Sequence, residues 1–290
     1  MSTEIQKYSF KEGLPQEFEI LDFKFLCNEF KKEISQPHRT GFYQIIWFKE
    51  GLTTHLVDFN LIKTKPNTLL FVGKDSVQRF DDIEGLNGKV ILFTDNFFCK
   101  TEKDTTFLKS TILFNDLLSI SQINISKSIS TFLNVLNQIE IELENTTDHY
   151  QSDIVHNNLR NFLLYSERER RKQDFIEIKP DANLDYALVL KRLLDANYVQ
   201  HKKVSFYCKQ MNVTSKRLNQ ATSKIFGKTP KEIIDDRVLL ATKRLLVHTN
   251  ESVKEIAFSI GFEESTNFVK YFKKHTNKTP VEFRSEFTSV

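Results

Sequence analysis

The heptapeptide GKTPKEI at residues 227–233 returns fifty positions later as NKTPVEF at 277–283, so whatever the last third of the chain does, it does twice. Ahead of each KTP lies a helix-period stretch: Leu218, Ala221, Thr222 and Ile225 in the first copy, Phe268, Tyr271, Phe272 and His275 in the second. Further back the offset falls to 49, where Val204, Tyr207, Cys208 and Met211 match Val253, Ile256, Ala257 and Ile260. One copy therefore carries an extra residue between its helices, and insertions of that kind belong in turns.

Each copy reads as a short helix, a tight turn, a second helix and a Pro that opens the next segment. In the second copy Ser252 is the expected N-cap, Gly261 fits the special backbone of a turn, and Glu263, Glu264 or Ser265 starts the next helix. In the first copy Asn212 takes the place of Gly261, and Asn is the usual substitute where φ is positive. Two helix-turn-helix units follow, joined by a helix over Lys231–Val247 with Ile234, Val238, Ala241 and Leu245 on one face. Seventeen residues at about 1.5 Å each span about 26 Å, which suits two recognition helices in successive major grooves.

Helix-turn-helix geometry also occurs in proteins that never touch DNA, so the solvent faces matter. The second helix of the first unit offers Thr214, Ser215, Lys216, Arg217, Asn219, Gln220 and Lys224; that of the second offers Ser265, Thr266, Asn267, Lys270, Lys273, Lys274 and His275. Asn and Gln suit adenine edges, Arg and Lys suit guanine or phosphate, and no acid occurs between 265 and 275. From Asp185 to Val290 there are 19 Lys plus Arg against 11 Asp plus Glu; the chain holds 41 against 38, leaving 22 against 27 before it. The net +3 thus hides a basic tail on an acidic body, and a basic module favours polyanions through counterion release.

The stretch from about 189 to 287 resembles the DNA-binding domain of the AraC/XylS family of bacterial transcription regulators. The resemblance rests on ATKRLL, SVKEIAFSIGF, the aromatic pair Phe268 and Phe272, FKK, and the closing TP-x-EFR, in that order. Asn277, where the second copy usually has Gly, and Cys208, where the first often has Ala, depart from the pattern and bear on packing. The resemblance implies recognition helices starting near Thr214 and Ser265, a linker helix over Lys231–Val247, and double-stranded promoter DNA and RNA polymerase as partners of an activator. Arg217, Gln220, Asn267 and Lys270 are the preferred base readers.

From Phe18 to about Phe98 the runs FEILDF, FYQIIWF, TTHLVDF, TLLFV and KVILFT are strand-like and split by Gly51, Pro66-Asn67, Gly73 and Asn87-Gly88, suggesting a small antiparallel barrel or sandwich. Residues 38–80 resemble the cupin-like sensor domain found in many relatives. In metal-binding cupins several His and a carboxylate converge on one ion; here only His38 and His55 are available, and Gln78 stands where a His is often found. Two isolated His do not make a three-ligand site, so no metal or cofactor is expected. A metal-free pocket for a small-molecule effector, lined by Tyr43, Trp47, His55 and Phe80, stays open beside a barrel serving only for dimerisation or partner binding. Core packing explains each of those four equally well.

From about Ser126 to Arg171 the pattern turns helical: Ile129, Phe132, Leu133, Leu136 and Ile139 form one apolar face, and Ile154, Val155, Leu159, Phe162 and Leu163 a second. This hairpin packs on the barrel or self-associates, and relatives often dimerise here. ERERRK at 167–172 and the polar stretch to Asn183 read as a solvated helix end and linker.

The expected architecture is thus a multidomain α+β chain. It comprises a cupin-like antiparallel β-barrel sensor over 1–104, a helical hairpin and linker over 105–184, and an all-α domain with two helix-turn-helix units over 185–290. Cys27, Cys99 and Cys208 are unclustered, and nothing approaches 18 consecutive apolar residues, so a cytoplasmic protein without disulfides or membrane span is expected. Phosphate-binding, nucleophile-elbow, HExxH and GxGxxG motifs are absent, which argues against an enzyme. A cupin oxygenase or isomerase with a helical appendage, and an interaction protein whose helix-turn-helix units bind protein, are the rival readings.

Overall fold

The computed structural model describes residues 6–11, 13–81, 83, 85–114, 120–173 and 182–288. The chain divides into two compact units, 6–177 and 178–290.

The first unit runs β1 (Gln6–Tyr8), β2 (Phe18–Asp22), α1 (Phe23–Glu29), α2 (Lys31–Ser35), β3 (His38–Thr40), β4 (Tyr43–Glu50), β5 (Thr54–Val57), β6 (Asn60–Lys63), β7 (Thr68–Val72), β8 (Val77–Phe80) and β9 (Asn87–Phe93). Two short helices, α3 (Asp95–Phe98) and α4 (Glu102–Ser110), then lead to β10 (Gln122–Asn124), α5 (Ile129–Glu144) and α6 (Gln151–Lys172). The strands form two five-stranded sheets, ordered β1-β3-β8-β5-β6 and β10-β7-β4-β9-β2. Pairing is antiparallel throughout except between β1 and β3. Among the described residues no ladder joins the two sheets and no closed barrel forms, so of the expected barrel or sandwich the strands make an open sandwich.

Strand β4 shows why. Its apolar run is continuous because both of its faces are buried. Ile46 and Phe48 share a core with Leu70, Val72, Val90 and Leu92 of the same sheet and with Val57 and Phe80 of the other. Successive side chains alternate, so Ile45 and Trp47 join Leu69, Phe71, Ile91 and Phe93 on the opposite face. That face is covered by the α5–α6 hairpin through Phe132, Leu136, Ile139, Leu159, Phe162 and Leu163. The hairpin therefore shares one core with the second sheet. Ile154, expected on its apolar face, is 40% exposed and points the other way.

Trp47 is fully buried with its ring centroid 6.5 Å from those of Phe132 and Phe162. Phe162→Ala is expected to cost about 3–5 kcal/mol, the usual range for emptying a Phe site. The single Trp reports it: emission should shift to the red and the urea midpoint should fall, and an unshifted midpoint would refute the packing described.

β10, which no sequence pattern announced, extends the second sheet beside β7. Its free side is closed by one side chain. The main-chain N–H of Asn124 donates to Gln173 Oε1 at 2.8 Å, and Gln173 Nε2 donates to the carbonyl of Asn124 at 2.6 Å. The ERERRK run is the C-terminal end of α6, where Glu167 accepts from the amide of Ile112 at 3.0 Å and Lys172 pairs with Glu169. Most of the polar stretch to Asn183, residues 174–181, lies outside the described residues.

The second unit is helical: α7 (Ala182–Asn197), α8 (Val204–Met211), α9 (Ser215–Phe226), α10 (Pro230–His248), α11 (Val253–Ser259), α12 (Ser265–Thr276) and α13 (Pro280–Thr288). Leu190, Leu194, Tyr207, Leu218, Ala221, Ile234, Val238, Leu246, Ile256, Phe268 and Phe272 are fully buried in it. Among the described residues no helix is long and apolar enough to cross a membrane.

Candidate nucleic-acid interface

The repeated KTP-x-E is a helix start. Thr229 caps α10 with Pro230 in the first turn: the amide of Thr229 donates to Glu232 at 2.7 Å, and the amide of Glu232 donates back to Thr229 Oγ1 at 3.3 Å. Thr279, Pro280 and Glu282 repeat it at 2.7 and 3.2 Å. These main-chain and hydroxyl hydrogen bonds hold the Glu232 and Glu282 carboxyls below the usual carboxylate range. The preceding lysines repeat as well, Lys228 reaching Asp236 at 2.7 Å and Lys278 reaching Glu286 at 2.6 Å. The motif thus ends the second helix of each unit and begins the next helix.

The turns answer to local chemistry in the same way. Asn212 (φ 53°) and Gly261 (φ 79°) occupy equivalent left-handed positions, as do Gly227 (φ 66°) and Asn277 (φ 60°). The extra residue falls after the first of these pairs, where Val213-Thr214 leads into α9 but Phe262-Glu263-Glu264 leads into α12. Thr214 Oγ1 accepts from the amide of Arg217, and Ser252 forms a capping box with Glu255 as its position suggested.

Leu218, Ala221, Thr222 and Ile225 turn inward on α9, as do Phe268 and Phe272 on α12. Thr214, Ser215, Lys216, Asn219, Gln220 and Lys224 are exposed, together with Thr266, Asn267, Lys270, Lys273 and Lys274, while Ser265 is half-buried. Arg217 stands apart. Its guanidinium donates to Asn183 Oδ1 at 2.5 Å and lies 4.8 Å from the centroid of Tyr186, both on α7.

Helix α12 has its own anchor. Tyr271 donates its phenolic proton to Asp235 on α10 at 2.8 Å, and Asp235 also pairs with Lys231. Burial, then the Asp235 carboxylate, push the Tyr271 phenol well above its ordinary range, which keeps the donor proton in place. Two further ties had no sequence signal. Arg284 donates to the carbonyls of Leu246 (2.8 Å) and Glu251 (2.6 Å), closing the end of α10. Lys202 donates to the carbonyls of Val199 and Ile260 at 2.6 Å each and of Gly261 at 3.2 Å, joining the loop after α7 to the turn of the second unit.

In the first unit the four candidate pocket residues fall on different faces. Tyr43 stacks on Phe93 at 5.2 Å and Trp47 faces the hairpin, whereas the rings of His55 and Phe80 meet at 4.0 Å between the sheets. His55 Nε2 lies 3.1 Å from Gln78 Oε1, and His38 is the cross-strand neighbour of Gln78. Burial holds the His55 imidazole down to about 3, so at neutral pH it is uncharged and donates to Gln78 through Nε2. Its Nδ1 lone pair and the Gln78 amide nitrogen are buried without a hydrogen-bond partner among the described residues.

Two helix-turn-helix units on one helical body define a DNA-binding module. Residues 207–286 match the family model described as Helix-turn-helix domain, and they form a domain of the AraC type. The chain is 28% identical over 95 residues to the lactose operon transcription activator of Staphylococcus xylosus, covering 33% of this chain and only about a third (34%) of that protein. It is 21% identical over 254 residues to the HTH-type transcriptional activator RhaR of Mannheimia succiniciproducens, covering 86% and 87% of the two chains. Among solved structures it is similar to ToxT from Vibrio cholerae, with a TM-score of 0.45, 14% identity, and 92% and 97% of the chains covered.

Proposed function

We propose that the whole chain is a sequence-specific transcription regulator, an activator that binds promoter DNA through α9 and α12 and acts with RNA polymerase. The observation that carries the reading is the pair of exposed faces on these helices. Lys216, Asn219 and Gln220 on one, and Asn267, Lys270, Lys273 and Lys274 on the other, project from helices whose opposite sides are buried. Such groups read base edges and neutralise phosphates, and an acid-free α12 face fits a polyanion.

The functional divisions in this proposal are a sensor over 1–104, a helical hairpin over 105–184 and the DNA-binding domain over 185–290. A small neutral effector or a partner acts on the first unit. The unpartnered Nδ1 of His55 and amide nitrogen of Gln78 support that role, because buried polar groups are ordinarily hydrogen-bonded. Exposed Ile141, Ile154 and Leu164 on the hairpin support a homodimer through that surface. The proposed protein is cytoplasmic, needs no cofactor and carries out no catalysis.

Selection of bound fragments from a random duplex pool with the full chain, at two salt concentrations, tests the reading. One motif with two elements about a helical turn apart is expected. Salt-sensitive recovery with no motif would refute sequence-specific reading.

A further inference from the structure

The two recognition helices are anchored to different parts of their unit. α12 is tied to α10 through Tyr271 and Asp235. α9 is tied to α7 through Arg217, whose planar group spends its edge on the Asn183 carboxamide and its face on the Tyr186 ring. Held in this way, Arg217 commits its Nη1 and one face of its planar group to α7.

The position of this contact gives it consequence. Asn183 and Tyr186 are three residues apart, so they share one face of α7, and they lie in its first two turns, just after residues 174–181. Arg217 lies in the first turn of α9, the end that enters the groove in helix-turn-helix proteins. The contact therefore links the entry of the unit to the reading end of one recognition helix.

We propose that Arg217 is a positioning residue through which the start of α7 sets the reading end of the first recognition helix, so that regulation arriving there alters recognition of one DNA element and leaves the other alone. The proposal rests on the duplex-reading function above. Displacing the first turn of α7 moves α9 through Arg217, while α12 keeps its anchor on α10.

The test uses the full chain, the duplex recovered by selection, and two duplexes with either element scrambled. Asn267→Ala identifies the element read by α12. Arg217→Ala and the double variant Asn183→Ala/Tyr186→Leu are each expected to weaken binding to the intact duplex by about tenfold, the scale of one charged hydrogen bond with a ring contact. Combining all three changes should weaken it no further, since one interaction is removed. The losses should vanish on the duplex lacking the α9 element, and base preference should be unchanged. Arg217→Lys, which keeps the charge but not the planar edge, should fall between.

A relaxed preference at one base pair in Arg217→Ala, with tighter binding by the double variant, would overturn the proposal by making Arg217 a base reader that α7 sequesters. Equal losses on both scrambled duplexes would overturn it by showing general destabilisation. Hydrogen exchange gives a readout without DNA. The amides of Arg217 and Leu218 should exchange faster in the double variant while those opening α12 do not, and unchanged exchange at both sites would also overturn it. Failure of the wild type to select any motif would count against the DNA-reading function itself, leaving exchange to decide the coupling.

Discussion

Gly261→Ala is expected to dismantle the second helix-turn-helix unit and abolish specific duplex binding. The backbone there has φ 79°, and a Cβ would lie 2.1 Å from the carbonyl oxygen of Val199. The left-handed conformation alone costs an L-residue about 1–2 kcal/mol. Relieving the overlap requires moving a carbonyl that Lys202 binds, and forced repacking adds roughly 1–3 kcal/mol. The equivalent Asn212 already carries a side chain at φ 53° and is exposed, so Asn212→Gly should change stability by less than about 1 kcal/mol. Urea unfolding followed by circular dichroism compares the two. A Gly261→Ala protein within 1 kcal/mol of wild type, as an order-of-magnitude threshold, would refute the close approach on which the docking of this turn depends.

The second large effect concerns charge on α12. Replacing Lys270, Lys273 and Lys274 together by Ala removes three exposed cations while leaving Phe268 and Phe272 in the core, so the fold should persist. If each contacts a phosphate, the slope of log affinity against log salt should become shallower by about 2.7, at about 0.9 per contact. Affinity near physiological salt should fall by roughly a hundredfold or more, similarly for matched and mismatched duplexes, because phosphate contacts carry little sequence information. An unchanged salt slope would show that this face does not meet the DNA backbone.

How much of this was legible from residues alone depends on how far apart the interacting groups lie in the chain. The paired units, their turns at Asn212 and Gly261, the cap at Ser252 and the connecting helix could be read because each rests on groups within a few positions of one another. Helix α10 begins at Pro230 instead of Lys231 because Thr229 and Glu232 close a capping box around it. Several strands of the first unit were likewise visible as apolar runs between turn residues, but their arrangement was not. Barrel and sandwich share the same local alternation, and only the ladders between strands distinguish them.

The candidate site divides along the same line. Exposure of Asn219, Gln220, Asn267 and Lys270 follows from helical period against the buried Leu218, Ala221 and Phe268. Arg217 obeys that period too, yet it turns back to Asn183, 34 residues earlier. Trp47 and His55 belong to neighbouring strand patterns in the chain but lie on opposite sides of a sheet layer, one against the hairpin and one between the sheets.

The sequence by itself determined the doubled helix-turn-helix, its caps and turns and its basic outward faces, because short-range hydrogen bonding and a 3.6-residue period are written in neighbouring residues. The tertiary structure alone decided the open sandwich, the strand at Gln122–Asn124, the Lys202 tie and the capture of Arg217. Each of these depends on contacts between distant segments, whose register and side-chain direction no local pattern specifies.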